Sequence, residues 1–136
     1  MSPADELRAA ATKIRTLATA IEAPDLPDQN WHTEACASEE RGDCPCIVAQ
    51  GTCNTEGPFV QPLFYVADAE TPECAAYIAA MGPPVALALA DLLDETSTEV
   101  TAAEGTEYEL HPNGGVFASW VAALAVARAA LGSSDG

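Results

Sequence analysis

Lysine and arginine are scarce in this sequence: five of them stand against 21 aspartates and glutamates, a formal charge of −16 over 136 residues. Binding to phosphate backbones rests on Lys and Arg contacts, so no direct binding of DNA or RNA is expected, and an anionic lipid surface is repelled for the same reason. Long apolar runs are also missing. Spanning a bilayer takes about 20 apolar residues, whereas VALALA is broken by Asp91 and WVAALAVARAAL by Arg128. No membrane association is expected. The opening MSPADELRAAATKIR has no basic stretch followed by an apolar one, so no secretory signal is expected there, and a reducing cytoplasm is the expected compartment. Aromatic residues are only 6% of the chain, which predicts a core of small side chains with few large anchors. Recognisable reaction motifs are absent too: there is no G-x-x-x-x-G-K-S/T loop, no G-x-S-x-G elbow and no H-E-x-x-H. His32 and His111 are the only histidines and neither sits in a nucleophile motif, so the chain is not expected to be an enzyme.

What is present is alanine, acid and one knot of cysteines. From 16 to 127 the chain carries eighteen Asp and Glu against Arg41 alone, a local charge of −17. Such a field attracts a basic protein surface. A solubilising coat is the plainer alternative.

Ser2-Pro3-Ala4-Asp5 has the form of a helix start. Ser2 caps, Pro3 suits a first turn where its missing N–H is no loss, and Asp5 and Glu6 favour the positive end of the dipole. Leu7, Ala11, Ile14, Leu17 or Ala18, and Ile21 recur at helical spacing, predicting an N-terminal helix over 1–22 that stops before Pro24. From 31 to 66 the pattern changes to short apolar runs between Gly, Pro and Asn. Ile47-Val48-Ala49, Phe59-Val60 and the run from 63 to 66 predict strands, with 51–58 as a hairpin connection and Pro62 at an edge or bulge. Thr71-Pro72-Glu73 repeats the start signal and predicts a helix pair over 71–94, broken at Gly82-Pro83-Pro84, with Val85, Leu89, Leu92 and Leu93 facing inward. Residues 95–115 read as a long surface loop held by Tyr108 and Leu110, with a brief strand at 107–111. Phe117, Trp120 or Val121, Leu124, Ala127 and Leu131 mark a C-terminal helix over 116–131 that ends at Gly132. The length predicts a single domain, 1–136. The expected class is α+β: about four helices packed on a small antiparallel sheet or hairpin, with a cysteine-rich β region over 31–66.

The cysteines follow the spacing Cys36-x7-Cys44-x-Cys46-x6-Cys53, with Cys74 in the helix pair and His32 four residues before Cys36. Structural zinc asks for four soft ligands in a tetrahedron, and turns rich in Gly and Pro let a short chain wrap that closely. The expected ligands are drawn from Cys36, Cys44, Cys46, Cys53, Cys74 and His32. The spacing does not match paired C-x2-C or C-x4-C motifs. Disulfides, which an odd count leaves incomplete, and buried free thiols both stay open.

The stretches LRAAATKIR and DAETPECAAYIAAMGPPVALALADLL, with a Trp at 31 between them, resemble small accessory proteins of actinobacterial phages and prophages, themselves similar to the Ead-like family of lambdoid phages. The likeness covers the first helix, the 67–94 block and, more loosely, Ala123 to Leu131. Relatives of this kind carry Ala-Thr-Pro-Gly-Pro-Trp after the first helix, where this chain reads APDLPDQNW, and the expected His is replaced by Cys74. The resemblance carries no catalytic residue with it. It implies a phage or prophage product in a bacterial cytoplasm. Taken together with the −17 interval, the expected role is that of a non-enzymatic binder of a basic host factor, with counter-defence as its purpose. A sequestering protein for a small anionic signalling ligand, bound at the helix N-termini near Thr71-Pro72 and Gly82-Pro83-Pro84, is the first alternative and a small enzyme the second. A homodimer through an alanine-rich helix face is a further expectation.

Overall fold

A computed structural model of the chain describes residues 1–20, 31–33, 46–50, 64–68 and 71–132. The elements in chain order are α1 (Pro3–Ala20), β1 (His32–Thr33), β2 (Cys46–Gln50), β3 (Phe64–Asp68), α2 (Pro72–Ala80), α3 (Pro83–Ala102) and α4 (Ala118–Leu131). They fall into two compact units, one of Met1–Ala18 with Ala86–Gly136 and the other of Thr19–Val85.

In the first unit, α1 begins where its cap signals place it. Ser2 Oγ accepts the Asp5 N–H at 3.2 Å while the Asp5 carboxylate takes the Ser2 hydroxyl at 2.8 Å and the Ser2 N–H at 3.4 Å, a reciprocal cap. The Ser2 hydroxyl and then its N–H hold the Asp5 carboxyl below the usual carboxylate range, with Arg8 helping at longer reach. A depressed folded-state value means that the cap acts fully above the ordinary Asp range and is lost as the pH falls through the lowered value. A carboxyl NMR titration is therefore expected to give Asp5 a midpoint below the usual value, and Ser2→Ala should raise it toward the ordinary Asp range.

The core of this unit joins α1, α3 and α4 through Ala4, Leu7, Ala10, Ala11, Ala90, Leu93, Val100, Ala123, Leu124 and Ala127, with Leu110 from the segment before α4. Six of these eleven are alanines, so the core is built largely of small side chains around Leu7, Leu93 and Leu124. Of the two candidates for the α1 stripe, Ala18 is buried and Leu17 is exposed. Ile21, Pro24 and the loop expected at 23–30 lie outside the described residues.

α3 is longer than the sequence reading allows. Residues 95–102, expected as loop, are helix, because Ser97 and Val100 continue the buried stripe of Ala90 and Leu93. Ser97 Oγ donates to the Ala4 carbonyl of α1 at 3.1 Å. The hydroxyls of Thr96 and Thr101 satisfy themselves four residues back, on the Leu92 and Ser97 carbonyls at 2.8 Å each. Val85 and Leu92, expected inward, are exposed. Leu110 packs down as expected, whereas Tyr108 stays exposed and stacks on Phe117. In place of a strand at 107–111 there is an isolated bridge between His111 and Gly114. α4 ends at Gly132, whose φ of 75° is the left-handed geometry that glycine adopts without strain.

In the second unit, β1 pairs antiparallel with β2, His32 opposite Val48 and Thr33 opposite Ile47. β2 pairs antiparallel with β3 in a register irregular on both sides of Val48. α2 packs on β1 and β2, and Ile47 and Ala75 are fully buried. α2 starts at the expected cap: extended Thr71 accepts the Cys74 N–H on its hydroxyl at 3.1 Å, with Pro72 in the first turn. Trp31 lies against Gly82, where any Cβ would stand 3.3 Å from both the ring and the Ala79 carbonyl. The strand expected at Phe59-Val60, the 51–58 connection and Pro62 lie outside the described residues.

The expected α+β class is overturned: the described residues are mostly helical. Helices of 18, 9, 20 and 14 residues dwarf strands of 2, 5 and 5. Nor do four helices rest on a sheet, since α1, α3 and α4 bury their apolar stripes on one another. Alanine and leucine favour helix, and narrow stripes of small side chains are covered by another helix without a sheet beneath them.

Candidate functional site

The residues proposed to hold zinc are not brought together by anything described. Cys36, Cys44 and Cys53 lie outside the described residues. Cys46 opens β2 opposite Asp68, and His32 opens β1. Cys74, in the first turn of α2, carries an exposed free thiol. Among the described residues no group of three or more His, Cys, Asp or Glu converges as a metal would require. No single described helix is long and apolar enough to cross a membrane.

The first unit holds the describable chemistry, and it begins with how its few cations are used. Arg8 Nη1 sits 3.3 Å from Asp5 on the same helix. Arg15 Nη2 reaches Asp91 Oδ1 at 3.0 Å and Asp94 Oδ2 at 2.9 Å, and these contacts, Asp91 first, strengthen its hold on its proton. Arg128 grips Glu6 through Nε and Nη2 at 3.1–3.3 Å and the Pro112 carbonyl through Nη1 at 3.0 Å. The first two pairs are largely solvated and stabilise little. Their consequence is electrostatic: three of the chain's five cations are matched to acids of their own unit. Glu95, Glu99, Glu104 and Glu107, all exposed, have no ion-pair partner among the described residues.

Beside Glu95 and Glu99 lies an apolar groove of about 410 Å³ between α3 and α4. Leu89, Leu92 and Leu93 form one wall, Trp120, Ala123 and Val126 the other, and Glu95 and Glu99 line it as well. Leu92 is 56% exposed and Val126 40%, so the groove opens to solvent. Trp120 donates its indole N–H to Glu99 Oε2 at 3.0 Å, fixing one carboxylate at the groove. Its ring meets Phe117 edge-on at 4.7 Å, and Phe117 in turn stacks on Tyr108 at 5.7 Å. Periodicity places Trp120 or Val121 on the inner stripe of the C-terminal helix and does not show the groove; the Trp120 ring packs against the core and lines the groove as well. A signal was present: ASWVAALAVARAAL has a single charged residue, more apolar surface than one buried face uses.

The two helix N-termini considered for an anion are already engaged. At α2 the N–H groups of Cys74 and Ala75 go to the hydroxyl and carbonyl of Thr71. At α3 the first two residues are prolines, and the Val85 N–H goes to the Gly82 carbonyl. In the groove the ionised groups are carboxylates, which repel an anionic ligand. No family model matches the chain, and neither a curated protein nor a solved structure matches it.

Proposed function

We propose that this chain is a non-enzymatic accessory protein of a phage or prophage that acts in the bacterial cytoplasm by binding a basic surface of a host protein, with counter-defence as its role. The observation that carries this reading is the charge of the α3 region. Glu95 and Glu99 stand exposed on α3, Glu104 follows it, and the cations of the same unit are largely spent on Asp5, Glu6, Asp91 and Asp94. An excess of fixed negative charge speeds encounter with a basic partner and selects against acidic ones. Phage origin rests on the resemblance of the first helix and the 67–94 block. The test is capture from bacterial lysate on immobilised protein, washed at rising salt. Retention of a basic host protein should fall by roughly tenfold or more between low and high salt, as exposed charges separated by about a Debye length are screened. Capture indifferent to salt, or no capture, overturns the reading.

A further inference from the structure

We propose that the groove between α3 and α4 receives a cationic amphipathic helix from the partner protein. The inference rests on the acidic-binder reading above and deepens it by naming the surface and the shape of its occupant.

The groove has helix on both sides. From Leu89 to Glu99 its α3 wall runs eleven residues, about 15 Å at the helical rise. An elongated trough between two helices is the surface on which a third helix seats its apolar ridge. In helix-in-groove recognition the anchors come at i, i+3 or i+4 and i+7, and a 15 Å trough admits two turns or more of such a stripe. The floor supplies Leu89, Leu93 and Ala123, the exposed Leu92 and Val126 supply the lips, and Trp120 closes one end. Glu95 and Glu99 then stand where the flanks of an incoming helix would lie, and Glu99 is held there by the Trp120 indole.

Charge decides among occupants. A second copy of this chain would bring its own surplus acids against Glu95 and Glu99. The chain's segments outside the described residues contain Arg41 as their only basic residue, so none of them supplies a cationic helix. What complements an apolar trough with carboxylates beside it is a helix with Leu, Ile or Phe on one face and Lys or Arg flanking them.

The probe is a 14-residue Leu/Lys peptide in amphipathic helical order, set against a scrambled peptide of the same composition. Both are titrated into the full chain by calorimetry and by NMR, where the Trp120 indole N–H reports on the groove. The ordered peptide should bind and shift the Trp120 signal. Leu92→Glu with Val126→Glu, both at exposed positions, should weaken binding about tenfold or more, since each places a charge against the apolar face. Glu95→Gln with Glu99→Gln should weaken it several-fold, and Glu73→Gln, on α2, by less than about twofold. Circular dichroism of each variant establishes that it is folded. If both peptides bind alike and the Leu92/Val126 pair makes no difference, the groove assignment falls while the acidic-binder reading stands. If neither peptide binds, both fall. Sedimentation showing that the chain alone self-associates through this groove, and that the same pair abolishes it, makes a second copy the occupant and overturns the inference.

Discussion

Leu93→Ala is expected to lower the unfolding free energy of the first unit by about 3 kcal/mol, within the 2–5 kcal/mol that leucine truncations show at fully buried sites. Leu93 is fully buried, and six of the eleven residues of its core are alanine. A truncated leucine is partly compensated when neighbours swing into the space. The six alanines have no side-chain torsion with which to do so, which puts the expected loss in the middle of that range rather than at its low end. The internal control is the adjacent residue: Leu92→Ala, at a position 56% exposed, should cost about 1 kcal/mol or less. Urea denaturation followed by far-UV circular dichroism measures both. Equal losses at the two positions would contradict the burial of Leu93 beneath the groove and the exposure of Leu92 at its rim.

Arg128→Ala is expected to cost about 2 kcal/mol, between the values typical of solvated ion pairs and of fully buried ones. The pair is well shielded, with the Arg128 side chain 26% exposed and that of Glu6 17%. The guanidinium also holds the Pro112 carbonyl, so one side chain ties α4 to α1 and to the turn before α4. Truncation strands the Glu6 carboxylate in a half-buried place without its charge partner. Arg128→Lys should restore little, because an ammonium cannot present the fork that meets both carboxylate oxygens and a carbonyl together. Adding Glu6→Gln to Arg128→Ala should cost less than the two separate losses combined, a coupling that a double-mutant cycle in urea reads directly.

How far the sequence foretold this protein follows from the range of the forces involved. Helix starts at Ser2 and Thr71 and the stop at Gly132 were legible because a cap is settled by three or four neighbouring residues. The extent of α3 was not. Its last two turns are polar in composition, and Ser97 is buried there by a hydrogen bond to Ala4, a residue 93 positions away. Leu92 and Leu93 both fitted the inward stripe at the resolution of periodicity alone, and only packing against α1 and α4 separates them. Short apolar runs between Gly and Pro give the sequence the pattern of an α+β protein with a sheet as its platform. The alanine stripes of α1, α3 and α4 needed none, since each fits the others. Of the proposed zinc ligands, Cys74 is placed on the exposed surface of α2, His32 and Cys46 are placed by backbone register, and the remaining three lie outside the described residues. The groove was illegible as a site because its Trp120–Glu99 contact joins two helices that the sequence reading placed on either side of a loop.

The core shared by α1, α3 and α4 bears on recognition as well as on folding. Five of its eleven residues are larger than alanine, Leu7, Leu93 and Leu124 among them, and all eleven are buried. A close-packed interior transmits strain rather than absorbing it. The groove walls on α3 and α4 therefore rest on side chains with no room to give, and a visitor loses little entropy in ordering its host before contact is made.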